Sequence, residues 1–260
     1  MDLGIEGNVA LCTAASSGLG LASAEALAEE GAHVAVCGRT EARLGAAGER
    51  LREAGDGGVL TVEADITDPA HISAFVSETV DEFGGLDHVV TSAGGPPSGP
   101  FLGTDDQDWY SAYDLLVMSV VWTLRETHPH LRASGGSAVA ITSRTVRSAA
   151  DNLVLSNAVR RAVEGLVQTL SREFAPAVRV NSVVPGAHET ARIENLIEAA
   201  VERGDVPDYE TGYEEWAADN PLERIGEPRE LGDVVAFLAS ERASNVNGAA
   251  VPVDGGSTRR

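Results

Sequence analysis

A stretch of small residues from Thr13 to Gly20 has the composition of a phosphate-binding turn. It follows a short apolar run and opens directly into an amphipathic stretch, which places it at a strand-to-helix junction. Glycine there lets the backbone approach a pyrophosphate, and the helix N-terminus supplies free N–H donors and the positive end of the helix dipole. The turn predicts dinucleotide binding through Thr13, Ser16, Ser17, Gly18, Leu19 and Gly20.

The residues after the second apolar run bear on which dinucleotide binds. A carboxylate there would accept hydrogen bonds from the ribose 2′-hydroxyl of NAD. The chain has Gly38 and then Arg39 instead, and a guanidinium pairs well with a 2′-phosphate. We therefore expect NADP(H) in preference to NAD(H). The alternative is that Arg39 only caps or pairs at the surface.

Five motifs, in chain order, resemble those of the short-chain dehydrogenase/reductase family, and in particular the 3-oxoacyl-carrier-protein reductases and their relatives. They are Thr13–Gly20, Ala64-Asp65-Ile66, Ser92-Ala93-Gly94-Gly95, Asn181–Gly186 and Val253-Asp254-Gly255-Gly256, and they span nearly the whole chain. The resemblance implies that further cofactor contacts come from Asp65, Ile66, Ser92, Ala93, Gly94, Arg160, Pro185, Gly186 and Thr190.

One position of the phosphate-binding turn departs from the family pattern. Ala14 stands where the family's first glycine would be. Because a β-carbon disfavours positive φ, we expect either a negative φ at Ala14 or slight backbone strain.

The resemblance also implies four catalytic roles in hydride transfer to or from a carbonyl. A serine bonds the substrate oxygen, a tyrosine moves the proton, a lysine lowers the pKa of that tyrosine, and an asparagine positions a water molecule. Ser143 matches the serine, whereas Ser156, Arg160 and Leu116 fall at the other three positions. The chain contains no lysine, so the family relay is expected to be atypical. Arg160 would hold the ribose and supply charge without titrating, and the Ser156 hydroxyl is a much weaker acid than tyrosine.

Three other side chains are candidates for the missing proton donor. His188 follows Pro185-Gly186 and has a suitable ordinary pKa, although a solvent-exposed loop histidine is the favoured interpretation. Tyr209 and Tyr213 would reach inward from a nearby segment, although packing is the favoured role for both.

Two arginines follow the candidate catalytic serine closely. Arg144 and Arg147 would either bind an anionic substrate such as a carboxylate or balance local acid.

An alternation of short apolar runs and longer amphipathic stretches must position these residues. The short runs are typical of buried parallel strands, and they are Asn8–Thr13, His33–Cys37, Gly58–Glu63, His88–Thr91, Ser137–Thr142, Val178–Ser182 and Ala249–Val253. Helices are predicted over Leu19–Glu30, Glu41–Ala54, Ala70–Phe83, Asp106–Leu131, Asn152–Phe174 and Arg229–Ala239. The alternation predicts one α/β domain over residues 1–260. Its expected fold is a Rossmann-type, doubly wound parallel sheet of about seven strands with helices on both faces.

The acidic segment Thr190–Asn220 interrupts this alternation. It lies between the sixth strand and the last helix, at the end of the sheet where ligands bind. Two interpretations stay open, a lid over a substrate pocket and a plain pair of surface helices.

The charge balance excludes some partners. The chain has 40 acidic and 19 basic residues, a net charge of −21, so binding to nucleic acid or an anionic membrane is not expected. High-salt adaptation and biased genomic composition are alternative origins of this charge, which a melting curve against salt would separate. Cys12 and Cys37 are expected to be small buried hydrophobes, and no Cys/His spacing predicts a metal site.

These observations favour an NADP-dependent oxidoreductase of a small carbonyl or alcohol, with a rebuilt proton relay. A catalytically silent nucleotide-binding protein, acting as a sensor or structural subunit, is the alternative. A lyase or isomerase using the same pocket has no positive support. The N-terminal residues show no basic, apolar leader, so a cytoplasmic protein is expected. The family resemblance implies a homo-oligomer, a tetramer or dimer.

Overall fold

Seven parallel strands form one sheet in the order β3-β2-β1-β4-β5-β6-β7. The computed structural model describes residues 2–258. The strands are β1 Val9–Cys12, β2 His33–Gly38, β3 Val59–Glu63, β4 His88–Thr91, β5 Ser137–Ile141, β6 Arg179–Pro185 and β7 Ala250–Val253. This architecture confirms the predicted α/β, doubly wound fold.

Nine α-helices connect or flank the strands in the described part of the chain. They are α1 Gly18–Glu29, α2 Glu41–Ala54, α3 Pro69–Phe83, α4 Asp106–Tyr113, α5 Ser119–Ser134, α6 Val154–Glu173, α7 Ala191–Arg203, α8 Tyr209–Ala218 and α9 Pro228–Ala239. Helices α1, α2 and α9 cover one face of the sheet, and α3, α5 and α6 cover the other.

The two apolar cores follow from the two-residue period of the strands. In β1, Val9 and Leu11 belong to the core on the α3–α5–α6 face, whereas Ala10 and Cys12 belong to the opposite core. All four side chains are buried because helices pack on both faces, which explains the unbroken apolar runs in the sequence.

Local signals fix where several elements begin and end. Asp68 caps α3 by accepting a hydrogen bond from the N–H of Ala70, and Pro69 occupies the first turn, where no backbone donor is needed. Gly84 ends the same helix with φ of 81°, a left-handed conformation that favours glycine. Glu227 and Glu230 form a capping box at the start of α9.

The sequence predicted one continuous helix over residues 106–131, and this prediction was wrong because the helix is interrupted. A π-helical turn, Asp114–Met118, separates α4 from α5, and α5 continues to Ser134. The buried Leu116 lies in this turn and packs in the core below it. One extra residue in a helical turn does not alter the pattern of apolar residues enough to be recognised, so a continuous helix was predicted.

The sixth strand is longer than predicted. It runs to Pro185 because residues Ser182 to Pro185 pair with β7, and the last two of them, Val184 and Pro185, extend beyond the end of β5. Pro185 is the last residue of β6, so the chain leaves the sheet at Gly186, at the carboxyl ends of the strands.

Both cysteines are buried, and neither is in a disulfide. Burial raises the pKa of each thiol, that of Cys37 to about 12, so neither forms a thiolate near neutral pH. Within residues 2–258, no helix combines the length and the apolar composition that a membrane span requires.

Candidate active site

A cleft opens at the carboxyl ends of the strands, where the strand order reverses between β1 and β4. That switch point is the usual ligand site of doubly wound sheets. Most residues predicted for the site contribute to its wall, namely Ser17, Gly18, Leu19, Gly20, Ser92, Ala93, Gly94, Ser143, Ser156, Arg160, Pro185, Gly186, His188 and Thr190.

The turn between β1 and α1 forms one end of the cleft. A β-carbon on Gly20 would lie 3.0 Å from both the Ala14 carbonyl oxygen and Ser92 Oγ, so only glycine fits without displacement. Gly18 has φ of 59°, and Ser17 precedes α1 without any side-chain cap, which leaves the first N–H groups of the helix for a ligand. The shape and the donors fit a pyrophosphate.

The backbone of Ala14 adopts the strained alternative. Its φ is 46°, in the left-handed region that favours glycine. The N–H of the next residue, Ala15, donates to the Cys37 carbonyl at 2.9 Å, which ties the turn to β2. The surrounding sheet therefore holds Ala14 in this conformation.

Thr13 supports the turn rather than forming the cleft wall. Its hydroxyl donates to the Ser92 carbonyl at 2.8 Å and accepts from the Ser92 N–H at 2.9 Å. This exchange joins the ends of β1 and β4 at the switch point.

The remaining predicted cofactor residues lie beside the cleft, at the ends of β2 and β3. Gly38 leaves room for Ser16, since a β-carbon there would lie 2.6 Å from Ser16 Oγ. The side chain of Arg39 is exposed, and no carboxylate within residues 2–258 forms an ion pair with it. The Asp65 carboxylate accepts hydrogen bonds from the backbone N–H and the hydroxyl of Thr67. Partial burial raises the pKa of Asp65, but these hydrogen bonds and the charge of Arg39 outweigh it and hold that pKa below its ordinary value. Ile66 is buried beside it.

Thr145 links the loop after β5 to α6 on the opposite wall. Ser143 Oγ accepts a hydrogen bond from the Thr145 N–H at 3.2 Å, and Thr145 Oγ1 lies 3.2 Å from Ser156 Oγ. Ser156 is buried, and all three residues contribute to the cleft wall. The structure thus brings the two predicted serines together through one threonine that the sequence interpretation did not include.

Arg160 lies one helical turn after Ser156 on α6 and points into the same wall. Its Nη2 donates to the Gly94 carbonyl at 3.0 Å and its Nη1 to the Thr142 carbonyl at 3.3 Å. Burial, with a smaller contribution from nearby Arg192, lowers the pKa of Arg160 to about 10. The group remains protonated near neutral pH, so it is a fixed positive charge at the base of the cleft.

His188 is buried, with an exposed fraction of 4%, so the interpretation as a solvent-exposed loop histidine was wrong. A bridge to Gly226 pins the loop, and a β-carbon on Gly226 would lie 3.1 Å from His188 Nε2. Nδ1 lies 3.3 Å from the Gly186 carbonyl, which can only accept, so Nδ1 carries the proton. Burial lowers the pKa of His188, and no hydrogen bond within residues 2–258 links it to Ser143 or Ser156.

The two tyrosines of segment 190–220 lie outside the cleft wall. Tyr213 donates to Glu189 Oε1 at 2.8 Å, and Tyr209 is exposed at the start of α8. Helices α7 and α8 occupy this segment, and Arg192, Leu196 and Trp216 on them form part of the cleft wall.

The arginines after Ser143 have separate roles. Arg144 forms an ion pair with Asp219 and lies over the ring of Trp216, 5.3 Å from its centroid. Arg147 instead donates to the Ala250 carbonyl at the surface, away from the cleft. Sequence reasoning missed Arg192, a cleft residue whose only signal was a basic residue two positions after Thr190.

Comparison with known proteins identifies the family. The model of the family described as enoyl-(acyl carrier protein) reductase matches residues 13–258. The human dehydrogenase/reductase SDR family member 2 is 32% identical over 254 residues, which cover 96% of this chain and 86% of the human protein. The chain belongs to the short-chain dehydrogenase/reductase family.

Solved structures of similar short-chain dehydrogenases/reductases share the whole fold. L-sorbose reductase from Gluconobacter frateurii, solved with NADPH and L-sorbose, superposes with a TM-score of 0.94 at 32% identity and full coverage of both chains.

A relative similar in sequence is the cis-4-hydroxycyclohexanecarboxylate dehydrogenase of Sinomonas cyclohexanicum, which is 32% identical over 96% of each chain. This chain is thus similar throughout its length to oxidoreductases of small alcohols and carbonyls.

Proposed function

We propose that the chain is an NADP-dependent oxidoreductase of a small carbonyl or alcohol, with an atypical proton relay. One observation carries this proposal: the glycine turn at α1 and the side chains of Ser143, Ser156 and Arg160 line the same cleft. A dinucleotide cradle and polar groups suited to a carbonyl oxygen therefore face the same space. The NADPH complex of the similar L-sorbose reductase supports the choice of cofactor class.

The residues of the cleft fit a dinucleotide. Gly18, Leu19 and Gly20 would hold the pyrophosphate, and Thr190 lies close by, with Cγ2 3.6 Å from where a β-carbon on Gly18 would be. Arg160 would bind the ribose next to the nicotinamide. When bound, NADPH would supply the hydride for reduction of a carbonyl.

The preference for NADP rests on Arg39. Its guanidinium is exposed at the end of β2, beside the start of α2, and no carboxylate among residues 2–258 pairs with it. The N-terminus of α2 lacks a side-chain cap at Thr40, so its N–H groups add further donors for a 2′-phosphate.

The reaction would use hydroxyl groups and a fixed charge in place of a tyrosine and a lysine. Ser143 would donate a hydrogen bond to the substrate oxygen, and Arg160 would stabilise negative charge that develops on it. Ser156 Oγ would give its proton to that oxygen and be reprotonated by water entering the cleft, and Thr145 Oγ1, 3.2 Å away, would hold the Ser156 hydroxyl in position. Burial lowers the pKa of His188 and so disfavours its charged form, and its Nε2 edge lies against Gly226, so within this proposal His188 shapes the cleft and does not donate the proton.

The segment after Thr190 would close the cleft. Helices α7 and α8 contribute Arg192, Leu196 and Trp216 to its wall, and we infer that residues 190–220 act as a substrate lid on the single domain. The ion pair between Arg144 and Asp219 would hold α8 against the loop after β5.

We also infer a homo-oligomer. A group of large apolar side chains on and before α4 is exposed in the single chain, comprising Phe101, Leu102, Tyr110 and Tyr113. Burial of such a surface favours association, and sedimentation velocity would measure the oligomeric state.

A fluorescence titration with NADPH and NADH, followed by a turnover screen on diverse small ketones and aldehydes, tests the proposal. We expect NADPH to bind more tightly than NADH, and at least one carbonyl to be reduced. Absence of binding to either nucleotide would overturn the proposal.

The second candidate function is a catalytically silent nucleotide-binding protein. The observation that favours it is that the cleft wall, within residues 2–258, includes neither a tyrosine nor a lysine. Tight NADPH binding without turnover on any carbonyl in the screen would support this alternative.

A further inference from the structure

The cleft has a charge composition opposite to that of the chain. The protein carries a net charge of −21, yet the cleft wall contains three arginines and, among residues 2–258, no aspartate or glutamate. With 40 acidic residues in the chain, a cleft free of them is a local feature that the overall composition does not explain. A positive, partly enclosed surface concentrates anions.

Arg192 is the part of this surface that the proposed reaction does not use. It lies in the first turn of α7 and packs flat over the turn after β4, where a β-carbon on Gly95 would lie 2.4 Å from the Arg192 Cζ. Nη2 donates to the Pro96 carbonyl at 3.0 Å, the one hydrogen bond that the Arg192 side chain makes with residues 2–258. The guanidinium is therefore held in place with donors left for a ligand.

Neither Arg192 nor Arg160 has a carboxylate oxygen within 4.0 Å among the described residues. Arg144, the third cleft arginine, differs because Asp219 neutralises it. The nearby Glu164 carboxylate accepts hydrogen bonds from the hydroxyls of Thr142 and Ser182 instead.

Burial lowers the pKa of Arg192 and of Arg160, and the two cations repel each other. Partly buried like charges without a counter-ion are unfavourable, and a bound anion would relieve this cost.

The position of Arg192 points to the substrate rather than to the cofactor phosphates. Thr190 lies beside the turn at Gly18, whereas Arg192, two residues later, packs on the turn after β4 at Gly95 and donates to Pro96. Arg160 reaches the same turn from below through the Gly94 carbonyl. The two guanidiniums therefore approach one turn from different elements, α7 and α6.

We propose that Arg192, with the charge of Arg160 behind it, binds a carboxylate on the substrate, so that the enzyme acts on small carbonyl or alcohol acids. This inference rests on the proposed function for the reacting carbonyl, although anion binding itself is measured without turnover. A planar guanidinium held against a glycine is suited to paired hydrogen bonds with a carboxylate.

Calorimetric titration of the full chain, with and without saturating NADP+, tests the proposal. The probes are acetate, cyclohexanecarboxylate and benzoate, each paired with its neutral amide. We expect at least one carboxylate to bind about 10- to 100-fold more tightly than its amide, the range for a hydrogen-bonded charge. We expect Arg192→Gln to remove this difference and Arg192→Lys to retain part of it.

Arg161→Gln is the matched control, since it removes the same charge from an exposed position of α6 next to Arg160. It should bind carboxylates as the wild-type chain does. Equal affinities of the wild-type chain for every carboxylate and its amide would overturn the proposal.

A parallel NADPH titration distinguishes the cofactor phosphate as the source of the anion. A tenfold loss of NADPH affinity in Arg192→Gln, with carboxylate binding unchanged, would overturn the inference while leaving the oxidoreductase proposal intact. Carboxylate selectivity without nucleotide binding would overturn the oxidoreductase proposal and leave carboxylate binding by Arg192 intact.

Discussion

Ser156 and Arg160 lie one turn apart on the same face of α6, and both side chains form part of the cleft wall. Family resemblance assigns these two positions to the tyrosine and the lysine of the proton relay. If that assignment holds, the two positions keep the spacing of one helical turn, and a serine hydroxyl, a much weaker acid, stands where the tyrosine would be.

The double variant Ser156→Tyr, Arg160→Lys should therefore increase carbonyl turnover with NADPH about tenfold or more, since a positioned general acid contributes at least that much. Steady-state rates on the most active carbonyl of the screen measure the effect, and each single variant serves as a control. A double variant that binds NADPH but reacts no faster than the wild-type chain would contradict the idea that the atypical relay limits the rate of turnover.

Arg39 should control the choice between the two nucleotides. Arg39→Gln removes the guanidinium that would meet the 2′-phosphate, and we expect NADPH affinity to fall about 10- to 100-fold while NADH affinity changes little. Fluorescence titration gives both constants. Arg43→Gln, which removes an equal exposed charge from the third residue of α2, should leave both affinities near their wild-type values.

The left-handed backbone of Ala14 should cost stability that glycine would recover. Ala14→Gly relieves about 1–2 kcal/mol of strain and adds about 0.5–1 kcal/mol of unfolded-state entropy, so we expect a net gain of about 0.5–1 kcal/mol in the free energy of unfolding. Chemical denaturation measures it. Ala15→Gly, at the buried neighbour without positive φ, should destabilise the protein instead. Destabilisation of similar size in both variants would show that Ala14 is not strained.

His88 should make the protein less stable in acid. Asn8 Nδ2 donates to its Nε2, and its Nδ1 donates to Ser137 Oγ, because the Ser137 hydroxyl donates to the Ala239 carbonyl. This network needs a neutral imidazole, and burial lowers the pKa of His88 from 6.5 to about 4.

The folded state then binds fewer protons than the unfolded state between those two pKa values, so stability falls as the pH drops through 6.5 toward 4. Between pH 7 and pH 5 the loss from His88 should be about 2 kcal/mol. Unfolding curves at both pH values measure it. His88→Gln should show a smaller difference between them, and an unchanged difference would exclude His88 as its source.

The sheet and most element bounds could be predicted from the sequence because the five inner strands are buried almost throughout and read as apolar runs, whereas the edge strands β3 and β7 are only partly buried. The turn at Gly18 and Gly20 could also be predicted, since glycines at a strand-to-helix junction of a parallel sheet are typical of phosphate binding. By contrast, the π-helical turn around Leu116 leaves no composition signal, so a single long helix was predicted there.

The environment of single side chains was the least predictable part of the site. His188 is buried because Gly226, far along the chain, bridges to it, and no local pattern encodes that contact. Arg192 resembled any surface arginine in an acidic helix until the fold placed it over Gly95. Arg144 and Arg147 looked equivalent in sequence, yet only Arg144 reaches the cleft.

The positive cleft within a strongly acidic chain has a kinetic consequence. An anionic nucleotide diffusing toward the molecule meets repulsion from the net charge of −21 before it senses the arginines. Added salt shortens the reach of that repulsion to about 10 Å at 0.1 M. The association rate constant for NADPH should therefore rise with ionic strength, the opposite of the trend for an electrostatically steered ligand, and stopped-flow fluorescence would record it.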